Sequence, residues 1–313
     1  MKADHELLLE QTAEERMISC MRDVFIMRPE AMIAMDSYKR LVALPRLIDN
    51  PCMSITAKSG QGKSTIGAVM AQQSCASNSD WARKVVYIDL VRNTANLNLT
   101  KLLQMEIGIQ FGERKKPLTL SYNDIARGQR LIRENNVGGV VLDEAQLLLK
   151  GFTDRGRELN LSAVKGFAGP YWALNFCLLA DKENLETLLK ADDTIASRFS
   201  LRSAHLPELK CDKSFIAFVK GFVAKMPLRQ KSIIDFDFCK KLLELSVLKV
   251  YRDGVEEKYS PLRSVVTILK EASRMAIESG LEYINIQSLY MVDVVLKNQM
   301  DTQSYLDRYT VIQ

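Results

Sequence analysis

Residues 57 to 65 read Ala-Lys-Ser-Gly-Gln-Gly-Lys-Ser-Thr, between an apolar stretch holding Met53 and Ile55 and another holding Ile66, Val69 and Met70. A strand that turns through two glycines into a helix is the frame of a phosphate-binding loop, which narrows the fold to an open α/β sheet. Gly60 and Gly62 let successive backbone N–H groups curl around phosphate oxygens. Lys63 then reaches the β and γ oxygens, and the Ser64 hydroxyl ligates Mg²⁺. Ser59, Gln61 and Thr65 complete the set of candidate nucleotide contacts. The usual pattern opens with glycine where this chain has Ala57, a mild departure, because the glycines nearest the phosphates and the Gly-Lys-Ser triplet are present. A nucleoside triphosphate is the expected ligand.

Further along, Gly138-Gly139 leads into Val140-Val141-Leu142-Asp143-Glu144, an apolar run ending in two carboxylates. Buried parallel strands are apolar nearly throughout, so their first acidic residues fall at the C-terminal edge, where open α/β sheets bind ligands. The run looks like the Mg²⁺ strand of a P-loop ATPase, with Asp143 holding the cation through water and Glu144 polarising the attacking water. The alternative is an ordinary strand entering a helix N-terminus, where acidic residues are favoured by the helix dipole.

The remaining pattern alternates strand and helix. Residues 84 to 90 read as a second strand, 98 to 110 and 121 to 135 as helices, 158 to 167 as a helix, 174 to 180 as a fourth strand and 200 to 206 as a last one ending at Pro207. That order predicts a three-layer α/β domain with a parallel sheet over residues 45–209. Residues 1–44 read as an N-terminal helical arm broken at Pro29 and Pro45. From about residue 211 the period is helical only, which predicts a helical domain over 210–300 followed by a tail at 301–313. No internal repeat or low-complexity segment interrupts this plan.

With 313 residues, 47% of them apolar, the chain has enough length for two folded domains. Forty-three basic against 38 acidic residues give a net charge of +5, too mild to establish nucleic-acid binding and compatible with a locally basic channel. The six cysteines (Cys20, Cys52, Cys75, Cys177, Cys211, Cys239) form no Cys-x-x-Cys pair and read as reduced core residues of a cytoplasmic protein. No apolar run reaches the length of a membrane span, and Met1 to Glu6 lacks a signal-peptide pattern, so membrane insertion and secretion are not expected. Only His5 and His205 are present and no zinc-ligand spacing occurs, which argues against histidine-based catalysis.

The order of motifs resembles a known family. A Pro45-Arg46 connector, the phosphate loop, Val-Val-Leu-Asp-Glu-Ala-Gln, a strand ending at Ala180-Asp181, Ile195-Ala196-Ser197-Arg198-Phe199, and Leu228-Arg229 leading to Ala276-Ile277-Glu278-Ser279-Gly280 resemble TniB. TniB stands with TnsC and the Mu B protein among AAA+ ATPases that regulate DNA transposition. The resemblance spans roughly residues 40 to 290. It implies an AAA+ P-loop NTPase core with a C-terminal helical lid, binding ATP and Mg²⁺. It further implies assembly as a ring or helical filament on double-stranded DNA and recruitment of a transposase alongside a target-selection protein.

Within that resemblance Arg198 would present its guanidinium to the γ-phosphate of a neighbouring subunit; a local salt bridge at a helix end is the alternative. Asp181 stands where the fourth strand often presents a neutral polar sensor, and an acidic group there would repel phosphate unless it acts through water or a cation. That departure argues for weak hydrolysis. Arg263, after Pro261, is a candidate second sensor. For DNA the candidates are Arg92, then Arg127, Arg130 and Arg133, then Arg155, Arg157 and Lys165, since backbone contacts from basic side chains give affinity without sequence readout. Each would otherwise be a solvated surface charge. Two other classes share these motifs: a helicase-loader-like AAA+ protein, and a P-loop kinase or signalling NTPase that does not bind DNA.

Overall fold

The structure is a computed structural model and describes residues 2–91, 97–112, 117–119, 121–149, 154–199, 202–252 and 255–295. Contacts divide the chain into two units, Met1–Arg28 with Glu208–Gln313, and Pro29–Pro207. The expected 1–44 arm is therefore split. Helices α1 (Lys2–Leu9) and α2 (Ala13–Cys20) belong to the first unit, and α3 (Pro29–Val42) opens the second. Pro29 does not merely break a helix: it occupies the first helical position, where its missing N–H has no partner to lose.

In the second unit the chain runs through β1 (Met53–Thr56), α4 (Lys63–Cys75), β2 (Lys84–Asp89), α5 (Leu99–Phe111), α6 (Tyr122–Glu134), β3 (Val137–Asp143), a 3-10 turn (Ala145–Leu149), α7 (Asp154–Ala168), β4 (Asn175–Ala180), α8 (Lys182–Lys190), α9 (Asp193–Phe199) and β5 (Ser203–His205). All five strands are parallel, in the order β2-β3-β4-β1-β5. The first strand thus lies between the fourth and fifth, and the chain leaves it to start the far edge. Such a reversal of direction opens a crevice at the C-terminal ends of the strands.

The register explains the layers. Val86, Val140 and Phe176 lie in one row and Ile88, Leu142 and Leu178 in the next, and both rows belong to a core shared with Leu103 and Ile107 of α5, Leu161 and Val164 of α7 and Leu185 of α8. The alternate residues face α3 and α4. Gly67 of α4 sits so close to the sheet that a Cβ there would lie 2.9 Å from both Tyr87 and Leu179. Gly139 leaves room for Tyr38 of α3, whose hydroxyl donates to the carbonyls of Val140 at 3.1 Å and Asn175 at 2.7 Å. A buried phenol with two acceptors stitches helix to sheet without an unsatisfied polar group.

The first unit gathers α1 and α2 with α10 (Lys213–Val223), α11 (Phe236–Leu245), strands β6 (Leu248–Arg252) and β7 (Val255–Tyr259), α12 (Leu262–Glu278) and a helix at 286–295. Phe215, Phe222, Phe238, Leu242, Val265, Leu269 and Leu289 form its core, which also takes in Cys20 of α2. The expectation of helices only after residue 211 is corrected by the antiparallel β6–β7 pair, in which Leu248 lies opposite Tyr259 and Arg252 opposite Val255. Cys20, Cys52, Cys177 and Cys239 are buried as expected, whereas Cys75 is exposed and Cys211 half-buried. Among the described residues no helix is long and apolar enough to cross a membrane. The tail at 301–313 lies outside the described residues.

Candidate nucleotide site

The loop between β1 and α4 lies at the C-terminal edge of the sheet. Gly60 and Gly62 have φ of 75° and 90°, a left-handed backbone that any other residue adopts at a cost, and Gly62 caps α4. No side chain occupies that cap, so the first N–H groups of α4 point outward as anion donors. Lys63, buried, donates to the carbonyl of Ala57 at 2.8 Å and of Lys58 at 3.3 Å. Burial lowers its pKa, and the carboxylates of Glu144, Asp181 and Asp143 oppose that shift. An ammonium facing three carboxylates marks the charged centre of the crevice. Ser59, Ser64 and Thr65 are exposed beside it, while Gln61 is buried.

Asp143 ends β3, directly opposite Asp89 of β2. Its carboxylate accepts from the Tyr87 hydroxyl at 2.8 Å and from the Glu144 N–H at 3.0 Å. The Ser64 side chain acts on the Tyr87 phenol, lowering its pKa, so the phosphate loop and the acidic strand end both approach one phenol. Glu144 has φ of 53°, an uncommon conformation for a side-chain-bearing residue, and its carboxylate accepts from Gln146. Strain of that kind is typical of residues whose position matters more than their stability.

The donor set fits MgATP. Backbone N–H groups and Lys63 suit the phosphates, and the Ser64 hydroxyl with Asp143 suits a cation that keeps water and phosphate oxygens as its other ligands. Among the described residues no group of three or more His, Cys, Asp or Glu side chains could hold a metal ion.

Asp181 plays a part that sequence reasoning missed. It caps α8, accepting from the Asn184 N–H at 2.9 Å and from the Asn184 side chain at 2.8 Å, so both oxygens are held by its own helix. Asp and Asn are the favoured residues at that cap, and this accounts for an acid where a neutral sensor is usual. Arg198, in α9, donates to Asp49 at 2.6 Å, the local ion pair that had been the alternative reading. Arg263 is exposed in the first turn of α12.

The described DNA candidates lie on two helices. Arg127, Arg130 and Arg133 lie on α6, and Arg155, Arg157 and Lys165 on α7. Arg130 pairs with Glu134 at 3.7 Å, Arg157 with Asp154, and Lys165 with Asp192 at 2.9 Å, whereas Arg133 and Arg155 are exposed. Arg92 lies outside the described residues.

Residues 16–210 match the family model described as "Bacterial TniB protein". A search of curated proteins finds no match. Among solved structures the chain is similar to the ORC2 protein of Aeropyrum pernix in ADPNP–ADP complexes, at 18% identity over 87% of this chain and 70% of that one, with a TM-score of 0.57. It is also similar to the ORC1 protein of the same organism in complex with DNA, at 13% identity, 90% and 69% coverage and a TM-score of 0.58. A Walker-type ATPase of Pyrococcus abyssi matches at 17% identity, 92% and 77% coverage and a TM-score of 0.54. At such identities the likeness establishes the fold, that of AAA+ P-loop ATPases.

Proposed function

The chain belongs to the TniB family, and on that premise we propose that it is an ATP-dependent, DNA-binding AAA+ regulator of DNA transposition. It assembles as an oligomer on double-stranded target DNA and recruits a transposase, with a target-selection protein as a further partner. The observation that carries the nucleotide part is the arrangement of the crevice: two left-handed glycines and Lys63 on one side, and on the other Asp143, held by Tyr87 and acting with Glu144 on the Lys63 charge. Lys63 and the α4 N-terminus would hold the phosphates, and Ser64 with Asp143 the Mg²⁺. Glu144 would orient water for hydrolysis, and Arg198 would serve a neighbouring subunit's nucleotide after leaving Asp49. Hydrolysis would be slow or DNA-stimulated. Support for a DNA-bound state comes from the family and from the likeness to a protein solved in complex with DNA.

Negative-stain imaging with random duplex DNA, with and without a slowly hydrolysed ATP analogue, tests the reading. Rings or filaments that need both ligands, and that Lys63→Ala abolishes together with nucleotide affinity, are the expected result. A nucleotide-bound monomer indifferent to DNA would overturn it in favour of a kinase-like or signalling NTPase.

A further inference from the structure

The opposite edge of the same sheet, where the strands begin, carries an unexplained concentration of positive charge. Arg46 donates to the carbonyl of Val137 at 3.1 Å and to that of Trp172 at 3.2 Å, which pins its guanidinium between the starts of β3 and β4. Arg83 lies along Gly138, the next residue of β3; a Cβ on Gly138 would fall 2.4 Å from the arginine Cδ. Arg133 ends α6, and its carbonyl accepts from the Asn136 N–H at 3.2 Å in the turn that enters β3. The Arg46 guanidinium and the stem of Arg83 therefore meet at the first residues of one strand, and Arg133 lies close enough for its charge to act on Arg46.

Like charges in such proximity are unfavourable unless something offsets them. Nothing among the described residues does. Neither the Arg83 nor the Arg133 guanidinium has a hydrogen-bond or ion-pair partner there, and the Nη1 of Arg83 is buried and unsatisfied. The carboxylates nearest in sequence are engaged elsewhere, Asp80 by Lys39 and Glu134 by Arg130. Burial, and then the charges of Arg83 and Arg133, lower the Arg46 pKa, which is the electrostatic signature of a cluster lacking its counter-ion.

Further along the edge, a cavity of about 400 Å³ at the starts of β1 and β5 is lined by Arg40 and Arg202 with Leu41, Leu44, Met53 and Ser203. No acidic residue lines it. Because the sheet is parallel, these two arginines stand on the same edge as the other three. Five strands at their usual spacing spread that charge over about 19 Å.

We propose that this edge, remote from the phosphate loop, binds the phosphodiester backbone of a nucleic acid, with Arg46, Arg83 and Arg133 at its centre. A guanidinium fork matches phosphate oxygens, and charge repeated across the sheet suits a polyanion better than a single free phosphate. Tyr171, next to Trp172 in the chain, is 75% exposed and offers a ring on which a base would stack, which an acidic peptide would not use. The site shares no residue with the phosphate loop, so it deepens the DNA-binding part of the proposed function without depending on nucleotide.

The test is fluorescence anisotropy of the full chain with labelled single-stranded and duplex DNA, titrated across salt concentrations in the absence of nucleotide. Arg83→Gln with Arg133→Gln should weaken binding about tenfold and reduce the slope of log affinity against log salt by about one to two. Affinity for a fluorescent ATP analogue should stay unchanged. Arg133→Gln alone, at an exposed position, carries the test if the Arg83 change lowers the melting temperature. Unchanged DNA affinity and slope would overturn the proposal. So would competition by millimolar inorganic phosphate or by polyglutamate that the variants abolish while DNA binding persists. A matched Arg155→Gln with Arg157→Gln chain separates the two readings: loss there alone, or no wild-type binding without nucleotide, removes this edge and leaves the ATP-dependent reading standing, which fails only if the wild type does not bind DNA with the ATP analogue present.

Discussion

The Tyr87 hydroxyl donates a 2.8 Å hydrogen bond to Oδ2 of Asp143, while the N–H of Glu144 holds Oδ1 at 3.0 Å. Both oxygens of this buried carboxylate are thus fixed by neighbouring backbone and strand. Burial, then the bond to Asp143, push the phenol well above its ordinary value, so it remains a donor throughout the working pH range.

Tyr87→Phe should therefore leave Asp143 short of a partner and lower stability by about 1–3 kcal/mol, the range for a buried acceptor that loses its donor. It should also raise the Mg²⁺ concentration needed for half-maximal turnover, because a loosened carboxylate positions the cation less well. Thermal unfolding and a Mg²⁺ titration at saturating ATP read the two effects. A variant as stable as the wild type with the same Mg²⁺ requirement would remove Tyr87 from the site.

Glu144 holds a left-handed conformation, φ 53°, that only glycine adopts without strain. Glu144→Gln should keep ATP binding and lose turnover, trapping the assembled state. Glu144→Gly should lose turnover as well, yet unfold at or above the wild-type free energy by up to about 1 kcal/mol, since relief of strain outweighs the added chain entropy. A glycine variant that is clearly less stable would show that the conformation is not strained.

In the helical unit, Arg16 donates two 2.6 Å bonds to Glu282 and one of 2.9 Å to the carbonyl of Pro227. The Arg16 bond lowers the Glu282 pKa from its ordinary 4.5. A depressed carboxylate pKa contributes stability that is fully present above the unfolded value and is lost as pH falls through the folded one. Acidification below 4.5 should therefore destabilise the wild type more than Glu282→Gln, whose side chain does not titrate. Arg16→Met, which strands the Glu282 carboxylate, should cost about 3 kcal/mol at neutral pH. Urea unfolding at neutral pH and well below 4.5 measures both. Parallel pH profiles for wild type and Glu282→Gln would contradict the linkage.

Much of this was legible in the residues. The phosphate loop, the apolar strand ending at Asp143 and the five-strand alternation rest on local rules, glycine conformation and strand burial, that tertiary context did not override. The β6–β7 hairpin was missed because the helical periods on either side of it, Phe238 to Leu245 and Leu262 to Leu269, were extended across the gap; the Asp253-Gly254 pair, a strong two-residue turn signal, was there to be read. The start of α7 at Asp154 lay hidden in a charged, glycine-bearing stretch. Contacts such as Tyr87 with Asp143 or Arg46 with Val137 join residues far apart in the chain, and no period or spacing records them.

The pairing of Arg198 with Asp49 belongs to that last class, and it bears on assembly. The arginine side chain is 15% exposed and the aspartate 75%, so the pair adds at most about 1 kcal/mol to the fold. Its second nitrogen, Nη1, is buried without a partner, which leaves the guanidinium incompletely satisfied in the isolated chain. If Arg198 serves a neighbour's nucleotide, Asp49 competes for it, and a ligand shifts the balance only by binding the released form more tightly. Asp49→Asn should then leave the melting temperature nearly unchanged and lower the ATP-analogue concentration at which the chain self-associates on DNA. Arg198→Ala should abolish DNA-stimulated turnover while keeping nucleotide affinity. Light scattering across an analogue titration reads the first and a coupled ATPase assay the second. Self-association unaltered by Asp49→Asn, with turnover unaltered by Arg198→Ala, would confine this pair to a local salt bridge.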